Sequence, residues 1–352
     1  MARLEEARRP MATLHRRAVL AAVPAAALAA CEPGMPTTAS STPRIAVKPL
    51  DRAVTAIARK AAPATLGMGL MNLESGQSFL FNSDHRFPLQ SVFKLPLGAA
   101  VLAEVDAGRL SLDEPFDLQE KDLSAPLSPV GAAWPARKVY TARELLEAAV
   151  SGSDNTAADV LLKRIGGPGA LTAWLVQKHV ADLRVDRYER EIQPTSCGMA
   201  SFRPAWRTPE GFGAAHDAVP PAARLTALRA YMADPRDTAT PQAMLQFLQA
   251  LDREELISPA STQLLTRLMA ATPRGNGRLR AGLPKDVFLA HRPGTSTVEG
   301  GLSAATNDVG IFTLPDRRSY AIAVFLTGST LDDAGRDAVI AQVARVALDA
   351  VG

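Results

Sequence analysis

The sequence predicts an α/β domain interrupted by an all-helical one. Strand-like runs stand near both ends of the chain, and the long middle, from about Phe87 to Leu268, shows helical patterns almost throughout. In order, Leu50, Val54, Ile57, Ala58 and Ala61 fall on one helical face and predict a helix packed on a sheet. Two short strands follow, Leu66–Leu73 and Ser78–Asn82, joined at the turn-forming Glu74-Ser75-Gly76. The middle offers helices at Glu144–Val150, Thr156–Arg164, Gly169–Lys178, Pro221–Met232 and Pro241–Leu251. Strands return at Val287–His291, Val309–Leu314 and Tyr320–Thr327, and a closing helix carries Val339, Val343, Val346 and Ala350. The expected division is an α/β domain from 46–86 and 275–352, with a helical domain at 87–274. A ligand site is expected in the crevice between them.

The chain has 352 residues, 47% hydrophobic and 21% charged, which suits one or two domains with a large core. Its net charge of +3 comes from arginines interleaved with acids, so nucleic acid is not an expected partner. Residues 1–31 read as an export signal: Arg8, Arg9, Arg16 and Arg17 precede an apolar run, Ala18–Ala30, too short to span a bilayer. The run ends in Leu28-Ala29-Ala30-Cys31, similar to the lipobox of bacterial lipoproteins, and Arg16-Arg17 resembles a twin-arginine signal. The expectation is a periplasmic protein tethered to the membrane through lipidated Cys31, with plain cleavage as the alternative and Met11 as an alternative start. Residues 32–45, rich in Pro, Ser and Thr, read as a flexible tether. With Cys31 lipidated, Cys197 has no disulfide partner. The five histidines show no metal-ligand spacing, so zinc hydrolysis is disfavoured.

Three short motifs carry chemistry. In "LQSVFKLPLG", Leu89–Gly98, a lysine stands in an apolar helix three residues after a serine. Lys94 either snorkels out of a core helix or accepts the proton of Ser91, since positions i and i+3 share a face. Ser153-Asp154-Asn155 lies at a turn before a helix, where an N-cap is the ordinary explanation. Arg292-Pro293-Gly294-Thr295 closes a strand. Each alone is weak. In this order they resemble the serine β-lactamases of class A and the related penicillin-binding proteins, whose motif set is Ser-x-x-Lys, Ser-Asp-Asn and Lys-Thr-Gly. "FPLQSVFKLPL", "SGSDNTAADVLL", "GGPGALTAWL" and "TNDVGIFTLP" extend the likeness from about residue 45 to the end.

The resemblance implies a β-lactamase/transpeptidase-like fold, an antiparallel sheet flanked by the terminal helices with an inserted all-helical domain. It implies a monomer that hydrolyses a small-molecule β-lactam through an acyl-enzyme on Ser91, with no metal or cofactor. Lys94 would take the serine proton, Ser153 would protonate the departing nitrogen, and Asn155 would bind the substrate's side-chain amide. "DRYEREIQ" resembles the loop that carries the deacylating glutamate, which makes Glu189 the base and Gln193 its helper on the water. Arg187 would pair with Asp237 to close that loop. The backbone N–H groups of Ser91 and Thr295 would form the oxyanion hole, and Arg292, Gly294, Thr295 and Arg278 would line the place of the substrate carboxylate.

The sequence departs from the family at four residues and in the length of one loop. Arg292 stands for lysine and Pro293 for threonine, Gln193 for asparagine, and Leu127 for an aromatic beside the cleft. The loop at about 186–237 is longer than the family's by roughly 35 residues and holds Cys197, Phe202, Trp206 and Phe212, which either form a satellite core or widen the cleft. A DD-peptidase-like penicillin-binding enzyme, or a slowly turning over β-lactam sensor, is the alternative; Glu189 argues against the first, while Pro293 and Gln193 favour the second.

Overall fold

A computed structural model describes residues 44–352. The expected signal, Cys31 and all but the end of the expected tether lie outside the described residues. The tether's last expected residue is part of the fold, since Ile45 is buried and its N–H donates to Gln77 Oε1 at 2.8 Å.

The N-terminal part contributes α1 (Val47–Lys60), β1 (Thr65–Asn72), β2 (Ser78–Phe81) and β3 (Phe87–Pro88). The middle holds α2 (Lys94–Asp106), β4 (Pro115–Asp117), α3 (Pro129–Ala133), β5 (Val139–Thr141), α4 (Ala142–Val150), α5 (Asn155–Arg164), α6 (Pro168–Gln177) and α7 (Glu189–Ser196). It continues through α8 (Pro209–Asp217), α9 (Pro221–Ala233), β6 (Thr238–Ala239), α10 (Pro241–Asp252), α11 (Pro259–Ala270) and α12 (Leu279–Gly282). The chain closes with β7 (Phe288–Thr295), β8 (Val298–Glu299), β9 (Leu302–Ser303), β10 (Thr306–Thr313), β11 (Ser319–Thr327) and α13 (Asp333–Asp349).

The main sheet runs β2-β1-β11-β10-β7, every neighbouring pair antiparallel, so the first and last parts of the chain interleave in one sheet. Side chains alternate across it. Leu66, Met68 and Leu70 of β1 join Ile322 and Val324 of β11 beneath α1 and α13. The other face meets the helical layer, where Gly67 and Gly69 make room: a Cβ on Gly67 would come within 2.3 Å of the Phe87 ring, and one on Gly69 within 2.7 Å of Leu245. Both faces are covered, which is why these strands read as near-continuous apolar runs.

Helix α2 is buried from Lys94 to Leu102 on every side, as expected of a helix at the centre of a layer. Around it, helices begin where Ser or Thr precedes Pro. Thr208, Thr240 and Ser258 each accept the N–H three residues on, from Gly211, Ala243 and Ser261, with proline at the first helical position of α8, α10 and α11. In the extended loop, Cys197, Met199, Phe202 and Phe212 bury together with Leu123 and Ala125 and with Trp134 and Trp206 beside them, forming a satellite core.

Candidate active site

Ser91 lies in a single 3₁₀ turn, Gln90–Phe93, that runs straight into α2. Three residues per turn stack Ser91 above Lys94, and Lys94 Nζ lies 3.2 Å from Ser91 Oγ. The lysine is fully buried, and a buried cation needs partners. It donates to the Ser153 carbonyl at 3.0 Å and to Asn155 Oδ1, and lies 2.9 Å from Glu189 Oε1. Burial, its largest influence, and the Arg292 charge hold Lys94 below the usual lysine range, against the opposing pull of Glu189. Ser153 stands at φ +67, a left-handed backbone that is rare for serine and gathers at functional sites. Its Oγ lies 2.9 Å from Ser91 Oγ. Of the neighbouring motif residues, Asp154 is the N-cap of α5, accepting from Ala157, while Asn155 turns inward and its Nδ2 donates to the Pro126 carbonyl at 2.6 Å.

Glu189 enters at the first turn of α7. Asp159, on α5, fixes that turn by accepting the Glu189 N–H at 2.7 Å and the Arg190 N–H at 3.0 Å, two donors that the first turn of a helix leaves without a partner. Burial, above all, with the Glu189 charge adding to it, pushes Asp159 up to about 7. Gln193 lies one turn beyond Glu189 on the same face of α7. Its Nε2 donates to Glu189 Oε2 at 2.7 Å and to Gln90 Oε1 at 3.1 Å, and Gln90 in turn donates to the Tyr231 hydroxyl at 2.8 Å. This chain ties the nucleophile's turn to α9 of the extended loop. At the loop's base, Asp237 accepts the Asp186 and Arg187 N–H groups at 2.7 and 3.0 Å, and Arg187 Nε donates to it at 2.6 Å.

The expectation for Arg292 needs correcting. It lies fully buried behind the site, with Nε on the Ser91 carbonyl at 2.9 Å, Nη1 on the Val150 carbonyl at 2.7 Å and Nη2 on Ser153 Oγ at 2.6 Å. It holds the two serines rather than facing a substrate. Burial, first of all, pushes it down to about 10, which leaves it cationic at neutral pH. Gly294 is likewise a packing residue, because a Cβ there would stand 2.6 Å from the Leu89 carbonyl, where β7 passes the Ser91 turn.

The cleft, about 430 Å³, is lined by Ser91, Leu127, Ser153, Arg274, Gly275, Arg278, Pro293 and Thr295. Arg278 is held by Asp337 at 2.7 Å and donates to Thr295 Oγ1 at 2.7 Å. Arg274 escaped the sequence reading. It donates to the Gly152 carbonyl at 3.4 Å and has no carboxylate partner among the described residues. A signal was available in "TPRGNGRLR", an arginine four residues before Arg278 in a glycine-rich loop. The constellation joins a nucleophilic hydroxyl, a buried amine, a second hydroxyl and a buried carboxylate, the parts needed for acyl transfer through a covalent ester.

A family model described as the beta-lactamase enzyme family matches residues 49–351. Beta-lactamase VEB-1 of Pseudomonas aeruginosa is 30% identical over 82% of this chain and 85% of its own length. The carbapenem-hydrolyzing beta-lactamase KPC of Klebsiella oxytoca is 31% identical over 82% and 84%. Among solved structures, a beta-lactamase from Chitinophaga pinensis superposes with a TM-score of 0.72 at 32% identity, covering 86% of this chain and 99% of that one. An ancestral class A beta-lactamase superposes at 0.69 and 34%, covering 86% and 99%.

Proposed function

The chain belongs to the β-lactamase enzyme family, class A, and from that premise we propose how its residues divide the work of hydrolysing a β-lactam ring. Ser91 Oγ attacks the lactam carbonyl while Lys94, acting in the neutral amine form that its burial favours, receives the hydroxyl proton across 3.2 Å. The backbone N–H groups of Ser91 and Thr295 stabilise the oxyanion as it forms. Ser153 Oγ, 2.9 Å from Ser91 Oγ and polarised by Arg292, passes a proton to the departing nitrogen. The ester is then cleared by a water deprotonated at Glu189. Its Oε2 is fixed by Gln193 and its Oε1 lies 2.9 Å from Lys94 Nζ, which holds the carboxylate toward the ester.

We assign the substrate carboxylate to Arg274, Arg278 and the Thr295 hydroxyl. Arg278 donates to Thr295 Oγ1, which leaves the hydroxyl proton to point at the ligand, and so stands in for the hydroxyl that Pro293 lacks. For Asn155, one Nδ2 proton remains for a substrate amide. Export to the periplasm, with a lipid anchor on Cys31, is supported by the signal and lipobox pattern of residues 1–31.

One observation carries the reading: a buried carboxylate 2.9 Å from the amine that serves the nucleophile. Time-resolved intact mass spectrometry with a chromogenic cephalosporin tests it. The parent should turn over, Ser91→Ala should form no adduct, and Glu189→Gln should hold the adduct as deacylation slows by about 10²–10⁴-fold. A Glu189→Gln variant that turns over like the parent, or a parent that stays acylated, would overturn the assignment of Glu189.

A further inference from the structure

The spacing of cysteine and histidine along the chain speaks against a metal, yet the fold gathers three ligand types from distant positions. Cys197 follows α7, His216 lies on α8 and Glu299 on β8, and their ligand atoms all lie within 4.8 Å of one another. We propose that Cys197 Sγ, His216 Nε2 and Glu299 Oε1 form a divalent-metal site of the zinc type, which clamps the extended loop to the β8–β9 hairpin just beyond Thr295.

The donor set is the first argument. A thiolate, an imidazole and a carboxylate suit a borderline ion such as zinc, and three protein donors leave a fourth position for water. The outer partners are the second. Metal-bound histidine usually gives its other ring nitrogen to a carboxylate, and His216 Nδ1 lies 3.1 Å from Asp217 Oδ1. Bound carboxylates are usually hydrogen-bonded in turn, and Arg224 Nε donates to Glu299 Oε2 at 2.8 Å, on the oxygen turned away from the cluster. The Thr297 hydroxyl lies 3.5 Å from Cys197 Sγ.

The third is burial with an entry path: Cys197 and Glu299 are buried, whereas the His216 side chain is 20% exposed. Donors around tetrahedral zinc stand roughly 3.3–3.6 Å apart. The His216–Glu299 pair, now hydrogen-bonded at 2.6 Å, must therefore open while the sulfur closes in. The ion replaces that hydrogen bond, and the thiol proton leaves to solvent. An ion-pair network of Arg224, Glu299 and His216 alone would make no use of the buried thiol turned toward the same point.

Cobalt(II) titration of the reduced full chain carrying Cys31→Ser, in which Cys197 is the single thiol, tests the proposal. One equivalent should bind with a near-ultraviolet thiolate-to-cobalt charge-transfer band, and zinc should displace it. Cys197→Ser should abolish the band, and His216→Ala or Glu299→Gln should weaken binding at least tenfold. Asp217→Ala changes no ligand on a residue at the surface and should weaken binding about 10–100-fold, which keeps the test valid if a core variant fails to fold. No saturable binding, or an unchanged spectrum in Cys197→Ser, would overturn the proposal.

Discussion

Replacing Arg292 by lysine restores the residue the family usually carries, and the structure predicts that it harms this protein. The guanidinium serves three acceptors from three nitrogens: the Ser91 carbonyl, the Val150 carbonyl and Ser153 Oγ. A lysine ammonium is a single point near the centre of that fork, so it can keep the Ser153 contact but not all three. The buried Val150 carbonyl then loses its donor at about 1–3 kcal/mol, while the Ser91 carbonyl keeps the backbone N–H of Lys94. Arg292→Lys should therefore lower stability by about 1–3 kcal/mol. Urea unfolding followed by circular dichroism should show an earlier midpoint with an unchanged slope, since the area exposed on unfolding is the same. Acylation measured by the burst should stay within about tenfold of the parent, because the charge beside Ser153 remains. Arg292→Ala, which removes that charge as well, should lose a further 10–100-fold, the worth of a hydrogen bond from a charged group. A lysine variant as stable as the parent would show that the Val150 carbonyl contact carries no weight and would refute the reasoning.

Three further outcomes are expected. Arg274→Ala should raise KM for carboxylate-bearing β-lactams roughly tenfold with little change in kcat, and the difference should shrink at high salt; equal KM values at low salt would remove Arg274 from the carboxylate site. Asp159 reaches about 7 in the fold from an ordinary 3.8, so the native state holds its proton where the unfolded chain does not, and stability falls as pH rises through that window. This group should cost about 3 kcal/mol between pH 4 and pH 7, and Asp159→Asn should remove that slope, so parallel pH profiles of urea midpoints would count against the burial argument. Gly294→Ala places a Cβ 2.6 Å from the Leu89 carbonyl, which should push β7 off the Ser91 turn, cost about 1–3 kcal/mol and slow acylation at least tenfold. Unchanged burst rates would refute the packing role.

Much of the fold was legible because local signals and tertiary demands agree. The face bearing Leu50, Val54 and Ile57 is the face α1 buries, and the runs read as strands are the strands of the main sheet. What escaped has identifiable causes. Helix α8 lacks a clean apolar period and that of α11 is confined to Leu264, Leu265, Leu268 and Met269, although Thr208-Pro209 and Ser258-Pro259 marked their starts. The two-residue pairs β3–β6 and β8–β9 are too short to show a period at all.

The sequence by itself determined the family and the identity of its reactive groups, because Ser-x-x-Lys, Ser-Asp-Asn and the glutamate of "DRYEREIQ" are local patterns that survive without coordinates. It also raised the choice between core and cleft for Phe202, Trp206 and Phe212, which the structure resolved as a core. Direction and reach were left to the tertiary structure. Arg292 and Arg274 are the same residue type near the same cleft, yet one is buried among carbonyls and the other lines the cleft wall. Cys197, His216 and Glu299 meet only because the extended loop folds back on the β8–β9 hairpin. Sequence spacing encodes which groups share a turn of helix or a strand; which groups share a point in space depends on packing between elements, and that is settled by the burial of apolar faces far from the groups themselves.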